Sequence, residues 1–201
     1  MCIRDRNTMY HTVKAVKTSK NIPITVVPIM GAANVRTPER DSLDLSKELA
    51  YAYGGTYHYI YAPLFVNSEE VRDSLEQEPN IKGCLELARN ADIILTSVGS
   101  IVYKSWKSYL STRDLYNLEK KGAIGHIGGH FYDMEGNEVI TPFVNKMIGL
   151  GIEDIKNTEN VICVAGLEMK AEAILGAVRG GYINTLITDE EAAKAVLALC
   201  K

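Results

Sequence analysis

The 201-residue sequence lacks the features that would direct it to a membrane or to nucleic acid. It has no apolar run near the roughly 18 residues that a membrane-spanning helix needs, and its first residues, MCIRDRNTMYH, lack the apolar stretch of a signal peptide. With 22 Lys and Arg against 25 Asp and Glu, the formal net charge is -3, so no basic field attracts nucleic acid or anionic lipid. We therefore expect a cytoplasmic protein that contacts no membrane and binds no DNA through these residues.

The motifs of metal centres and hydrolases are also absent from the sequence. Neither HExxH nor GxSxG occurs, and no carboxylate cluster has ligand spacing. The cysteines are scattered without a CxxC pair, which argues against a zinc site and a disulfide framework; they are Cys2, Cys84, Cys163 and Cys200. We expect no metal, no cofactor, and reduced thiols that are mostly buried.

What the sequence does contain is an alternation of short apolar runs and helical patterns. Five runs rich in β-branched residues have strand length, at 24–29, 57–61, 92–98, 160–165 and 184–188. Several are apolar almost throughout, as in parallel strands covered on both faces. Between them apolar residues recur every three or four positions, as at Met9 and Val13, Leu45 and Leu49, Ile81 and Leu85, and Ala171 and Ile174. Because no repeat or Pro/Ser-rich linker divides the chain, this alternation predicts one α/β domain with a doubly wound, mostly parallel sheet.

Local signals indicate where several of the helices begin and end. Asn67 and Thr188 each stand three residues before a glutamate, which is the spacing of a capping box. Glycine pairs at 54–55 and 180–181 follow two of the helical patterns as left-handed terminators.

One segment interrupts the alternation. Residues 122–140, GAIGHIGGHFYDMEGNEVI, begin with a glycine-dense loop and continue into apolar pairs at 131–132 and 139–140, which flank a turn at 133–136. This pattern predicts a small β-hairpin inserted in the α/β series.

Glycine follows several of the predicted strands. Ligands of open α/β sheets bind beyond the carboxyl ends of the strands, where glycine lets backbone N–H groups approach an oxygen atom. Each glycine alone is better explained as a tight strand exit, but the carboxyl ends of parallel strands meet at one edge, which favours a ligand site for the group. The predicted ligand-lining positions are Gly31 with Ala32, Gly99 with Ser100, Gly128 in the glycine loop, and Gly166.

Two further side chains are candidates for the ligand site. Lys170 follows Gly166 at a helix start, where a cation and helix N–H groups can jointly meet an anion; the alternative is an ordinary solvated lysine. His126 lies inside the glycine loop and could donate to a hydroxyl or phosphate, whereas His130 begins the hairpin and is less well placed. For both histidines a structural role is at least as well supported by the sequence.

Over residues 21–199 the sequence resembles the effector domain of SorC-type sugar-binding transcriptional regulators. Five blocks carry the resemblance in order: VVPIMGA, LAYAYGGTYHYIYAP, ARNADIILTSVGS, KKGAIGHIGGHFYDMEGNEV and VAGLEMKAEAILGAVRGGYINTLITDEEAA. The positions that match the family pattern include Gly31, Gly99, Gly128, Asp133 and Lys170.

The resemblance implies a Rossmann-like fold related to sugar-phosphate isomerases, glucosamine-phosphate deaminases and CoA transferases. It implies a sensor of a phosphorylated sugar rather than an enzyme. In the family, a preceding helix-turn-helix segment binds operator DNA, and effector binding changes oligomerisation and DNA affinity. We therefore expect a homo-oligomer whose contact with DNA depends on a segment outside these residues.

The sequence departs from the family pattern at several positions. His126 and His130 replace an acid and a base in the glycine loop, Leu167 stands in the second glycine position before Lys170, and Ser97 stands where glycine is common. These changes prevent the identity of the effector from being carried over. The family also has DNA-binding helices and a phosphate-cradling loop before the helix at 8–17.

We therefore expect residues 7–201 to be an effector domain that is incomplete at its N-terminus and lacks the helix-turn-helix. The prefix MCIRDR, residues 1–6, does not continue the family pattern. The alternative function is a sugar-phosphate isomerase or deaminase of the same fold, with His126 as base and Lys170 polarising a carbonyl.

Overall fold

The computed structural model describes residues 3–18, 20–33, 42–103, 106 and 109–200, in which helices alternate with short strands. The helices are α1 (Ile3–Ala15), α2 (Ser42–Tyr53), α3 (Glu69–Glu76), α4 (Pro79–Arg89), α5 (Thr112–Lys120), α6 (Ile152–Lys156), α7 (Ala171–Arg179) and α8 (Glu190–Leu199). The strands are β1 (Thr25–Val26), β2 (Thr56–Tyr57), β3 (Ile93–Thr96), β4 (Gly99–Ser100), β5 (Gly125–Ile127), β6 (His130–Tyr132), β7 (Asn160–Val164) and β8 (Thr185–Ile187). Short 3-10 turns in the described residues span Ile101–Tyr103, Val144–Lys146 and Glu168–Lys170.

The parallel strands form two sheets within the described residues. Strand β3 pairs with β7 and β7 with β8, all parallel, and β1 pairs with β2, also parallel. The α/β class and the parallel direction of the strands are therefore confirmed. The prediction of one doubly wound sheet is confirmed only in part, because β1 and β2 are two residues long and lie in a sheet of their own.

The predicted insertion is a three-stranded antiparallel sheet in the order β4, β5, β6. Gly128 and Gly129 form the two-residue turn between β5 and β6, with φ of 56° and 95°, and positive φ at both positions is the condition for a tight hairpin turn. The glycine-dense segment is thus a strand and a turn rather than a loop. The predicted turn after Tyr132 also exists, since the Asp133 side chain accepts from the Asn137 N–H at 2.8 Å.

The N-caps of α3 and α8 lie one residue after the positions predicted for capping boxes, Asn67 and Thr188. Helix α3 is capped by Ser68, whose side chain accepts from the Val71 N–H, and α8 by Asp189, which accepts from the Ala192 N–H at 2.8 Å. The backbone is still extended at both capping residues, so each helix begins one position later than predicted. The glycine terminators are confirmed, with φ of 71° at Gly54 and 70° at Gly181.

One core cluster joins buried residues of β3 and β7 to those of α6, α7 and the antiparallel sheet. Small residues let α7 approach the antiparallel sheet closely: a Cβ on Gly176 would lie 2.7 Å from the Asp133 carbonyl oxygen. The Tyr132 hydroxyl, wholly buried, donates to the Ala173 carbonyl at 2.8 Å. A second, aromatic cluster surrounds Trp106 and Phe131 on the other side of the antiparallel sheet. These two clusters hold β4 and β5 in place beside the end of β7.

Candidate functional site

The carboxyl ends of β3, β7 and β8 meet at one edge of the parallel sheet. The register places Thr96 opposite Cys163 and Val164 opposite Ile187, so the three strands end within one residue of each other. The connections that leave this edge carry Gly99 with Ser100, Gly166 with Lys170, and Asp189. The edge is therefore where an α/β fold of this kind accepts a ligand.

Lys170 is buried at this edge and joins two of its connections. It ends the 3-10 turn Glu168–Lys170 that leads into α7, and its side chain is only 4% exposed. Its Nζ donates to the Val98 carbonyl at 2.8 Å, in the connection between β3 and β4. The alternative of an ordinary solvated lysine is therefore wrong. A buried ammonium group is costly unless hydrogen bonds or an anion compensate it, which makes this position suited to an anionic ligand.

Gly99, Ser100 and His126 lie together because β4 pairs with β5. Gly99 is opposite His126 and Ser100 is opposite Gly125, and all four residues are buried. The turn Glu168–Lys170 packs against β4, which brings Gly99 and Ser100 beside Lys170. The structure thus brings together the predicted strand exits after β3 and β7.

His126 is part of an aromatic cluster rather than of an open loop. Its side chain is 2% exposed, and its ring packs edge-on against Trp106 at a centroid distance of 5.3 Å and beside Phe131 at 5.6 Å. The prediction that His126 lies in a glycine loop is wrong because β5 pairs on both edges and draws the residue into the sheet. Its contact with a ligand stays a prediction.

His130 has a structural role, as the sequence allowed. The ring is buried, with Nδ1 2.7 Å from Glu138 Oε1 and Nε2 2.9 Å from the Leu150 carbonyl. The Nε2 atom must donate, because a carbonyl only accepts. The residue therefore connects β6 to the segments around Glu138 and Leu150.

Gly31 and Ala32 use their backbone amides within the fold. The Gly31 N–H donates to the Ile148 carbonyl at 3.0 Å and the Ala32 N–H to the Ala62 carbonyl at 2.8 Å. A Cβ on Gly31 would lie 2.6 Å from the Pro63 carbonyl oxygen, so close backbone approach explains this glycine. Gly128 faces Ile155 and Ile29 in the hairpin turn. A ligand role for these three residues is a prediction that the geometry leaves untested.

The segment before Lys170 has an unusual backbone that sequence reasoning missed. Leu167 has φ 78° and ψ 131°, and its N–H donates to Asp189 Oδ2 at 2.7 Å. Backbone N–H groups from Ala192 and Leu167 lower the pKa of Asp189. A Cβ on Gly166 would collide with the Asp189 carboxylate, which explains that glycine. The one sequence signal was that Leu167 occupies a family glycine position.

The described residues contain no group of three or more His, Cys, Asp or Glu side chains that could hold a metal ion. Cys84 and Cys163 are buried, Cys200 is exposed, and none of these three is in a disulfide; Cys2 lies outside the described residues. In the same part of the chain, no helix has the length and apolar character required to span a membrane.

An α/β fold with a buried lysine and glycine-containing exits at one sheet edge defines a ligand-binding domain, and comparisons identify its family. A family model described as "Putative sugar-binding domain" matches residues 6–198. The chain belongs to this family, the sugar-binding domains of SorC-type transcriptional regulators. This confirms the family expected from the sequence blocks.

Three relatives show what the chain is similar to. It is 35% identical over 144 residues to the transcriptional regulator LsrR of Escherichia coli K12, covering 69% of this chain and 45% of LsrR. It is 28% identical over 185 residues to the uncharacterized transcriptional regulator YjhU of the same organism, covering 90% of this chain and 56% of YjhU. A solved structure of a probable sor operon regulator from Shigella flexneri superposes with a TM-score of 0.87 at 25% identity, covering 94% of this chain and 76% of that one.

The chain spans about half the length of the curated relatives it matches. The relatives are regulators and not isomerases or deaminases, so the comparisons support the first of the two functions that the sequence allowed.

Proposed function

We propose that this domain senses a phosphorylated sugar and acts as the effector domain of a transcriptional regulator, without enzymatic activity of its own. Lys170 is the observation that carries the proposal. A buried ammonium group beside the ends of β3 and β7 can pair with a phosphate, and the turn that holds it packs against Gly99 and Ser100. We retain Gly99, Ser100, Gly166 and Lys170 as the ligand contacts of this proposal.

The arrangement of the other polar groups supports sensing rather than catalysis. An isomerase needs a base within hydrogen-bond reach of the sugar carbon that loses its proton. The candidate base His126 packs against Trp106 and Phe131, and the nearby Asp189 carboxylate accepts N–H groups from Leu167 and Ala192. Both side chains therefore make contacts within the fold, which favours a structural role over that of a catalytic base.

The contact with operator DNA belongs, in this proposal, to a helix-turn-helix segment preceding residues 7–201 in the complete polypeptide. The length of the relatives supports it, since LsrR and YjhU each extend well beyond the matched region. The net charge of -3 supports it too, because this domain provides no electrostatic attraction for a phosphate backbone. A cytoplasmic location and homo-oligomeric assembly follow from the same proposed role.

A thermal-shift screen tests the sensing role. The 201-residue chain and the product of the complete gene are heated with a panel of phosphosugars, each matched by its unphosphorylated sugar. A ligand that binds the folded state raises the unfolding temperature in proportion to its saturation. We expect at least one phosphosugar to stabilise the protein more than its unphosphorylated partner does at the same concentration. Conversion of a phosphosugar to another compound, followed by NMR, would instead establish an enzyme.

The regulatory role is tested on the complete gene product with its own upstream DNA. We expect the stabilising phosphosugar to change DNA mobility in a gel-shift assay, while the 201-residue chain shifts no DNA. DNA binding by the 201 residues alone, or indifference of the complete protein to the phosphosugar, would contradict the role.

A further inference from the structure

Leu167 has a backbone conformation that leucine rarely adopts. Among the described residues it is the one non-glycine with positive φ, at φ 78° and ψ 131°. A bulky side chain there is a genuine outlier, and strain of this kind is concentrated at ligand clamps and active sites. Glycine would adopt the same conformation without strain.

Both backbone polar groups of Leu167 are held in place. Its N–H donates to Asp189 Oδ2 at 2.7 Å, and its carbonyl accepts from the Lys170 N–H at 2.9 Å. Asp189 is itself fixed as the cap of α8 through the Ala192 N–H. The conformation is therefore imposed by the connections that leave the carboxyl ends of β7 and β8.

The fold gains little from the leucine side chain. Leu167 is 55% exposed, and Met169, two residues along the same turn, is 55% exposed as well. Burial therefore does not account for an apolar side chain on a strained backbone. Lys170, the next residue after Met169, is buried at the strand ends, so the apolar pair borders the position proposed for the phosphate.

We propose that Leu167, together with Met169, forms an apolar wall of the ligand site and selects phosphorylated sugars that present a deoxy or methyl carbon. This inference rests on the proposed sensing function. A hydroxyl pressed against leucine loses its water without gaining a partner, whereas a methylene or methyl group gains apolar contact. In this proposal the Leu167 side chain supplies apolar surface beside the turn that holds Lys170, and a glycine at this position would supply none.

Isothermal titration calorimetry with matched pairs of ligands tests the inference. The probes are glucose 6-phosphate with 2-deoxyglucose 6-phosphate, ribose 5-phosphate with 2-deoxyribose 5-phosphate, and D-galactose 1-phosphate with its 6-deoxy analogue, D-fucose 1-phosphate. For a pair that binds, we expect the wild type to prefer the less hydroxylated member by about tenfold or more, the usual scale for one group in an apolar pocket. We expect Leu167→Gly to lose this preference and keep affinity for the phosphorylated sugar.

Two further variants separate a local effect from a general one. Leu167→Ser removes the apolar side chain and is expected to lose the preference, while Leu197→Ser removes a leucine that is 66% exposed on α8 and is expected to keep it. A preference for the hydroxylated member, no preference in the wild type, or an unchanged preference in Leu167→Gly overturns the inference and leaves the proposed function standing. Binding of no phosphosugar by the wild type overturns the proposed function, and the inference with it.

Discussion

The Nζ atom of Lys170 lies 2.8 Å from the carbonyl oxygen of Val98, a residue 72 positions earlier in the chain. This hydrogen bond connects the exit of β3 to the entry of α7 at the edge where the ligand is proposed to bind. Lys170 therefore has two roles in this account, one in the fold and one toward the phosphate. The two roles make different predictions.

In the absence of ligand, Lys170→Met is expected to reduce the free energy of unfolding by about 1.5–3 kcal/mol, the scale of a hydrogen bond to a charged group. The Val98 carbonyl loses its donor while remaining buried, because methionine fills the space without replacing the ammonium group. Urea unfolding followed by circular dichroism measures the change.

The matched control is Lys194→Met on α8. Lys194 pairs with Glu190, but both side chains are more than 70% exposed, so its replacement is expected to change stability by less than about 0.5 kcal/mol. Equal effects of the two substitutions would show that the Lys170 bond contributes nothing specific to stability.

Leu167→Gly is expected to stabilise the protein by about 1 kcal/mol. Glycine relieves the backbone strain of about 1–3 kcal/mol at φ 78°. It also raises the conformational entropy of the unfolded chain, which opposes this gain by roughly 0.5–1 kcal/mol. Leu167→Ala keeps the Cβ and thus the strain, so it serves as the control and is expected to give no stabilisation. A lower unfolding temperature for Leu167→Gly than for Leu167→Ala would contradict the assignment of strain.

Asp189 is expected to make stability depend on pH in the acid range. Its pKa is lowered in the folded chain by N–H groups from Ala192 and Leu167, so protonation favours the unfolded state. The contribution of Asp189 to the free energy of unfolding is fully present above the unfolded-state pKa, near ~4. It is lost as the pH falls through the lower folded-state pKa. The advantage of the wild type over Asp189→Asn, measured as unfolding temperature, should be a few degrees at neutral pH and vanish in strong acid. An advantage independent of pH would show that the charge has no role.

Gly128→Ala is expected to be more destabilising than Gly122→Ala. Both glycines have positive φ, which costs alanine about 1 kcal/mol. A Cβ on Gly128 would lie 2.8 Å from Ile155 Cδ1, whereas a Cβ on Gly122 would meet nothing within 4 Å. The difference in unfolding free energy therefore isolates the overlap in the hairpin turn, which we expect to add about 1–3 kcal/mol. Equal effects would show that the Ile155 side chain moves aside without cost and that the overlap contributes nothing.

Local sequence patterns predicted the elements whose apolar residues recur at the spacing of a helix or a strand. Helix α4 was predicted because Ile81, Cys84, Leu85 and Ala88 repeat at helical spacing and are all buried. Helix α3 was indicated only by its N-terminal cap signal, because its two apolar residues, Val71 and Leu75, span a single turn and none of its residues is buried. Strand β4 is two residues long and exists only through its pairing with β5.

The site was predictable in its location and not in its details. The order of the strands predicted that the carboxyl ends of β3 and β7 would form the site. The position of Lys170 after Gly166 predicted that this residue would belong to it. The burial of Lys170 depends on the distant Val98 carbonyl, and the surroundings of His126 depend on Trp106, which lies in a turn twenty residues earlier. Such contacts have no local pattern. The strained backbone of Leu167 depends on Asp189, which is 22 positions away.

The most direct test of the account is whether Lys170 recognises the phosphate group. Calorimetry of the wild type and Lys170→Met with a sugar and its phosphorylated form gives, for each protein, the ratio of the two affinities. Loss of the hydrogen bond to Val98 changes the affinity for both ligands in the same way, so this effect cancels in the ratio. The account predicts that phosphorylation strengthens binding to the wild type and that Lys170→Met reduces the ratio by about tenfold or more, corresponding to a charge-assisted bond of about 1.5 kcal/mol. An identical ratio in the two proteins would contradict it.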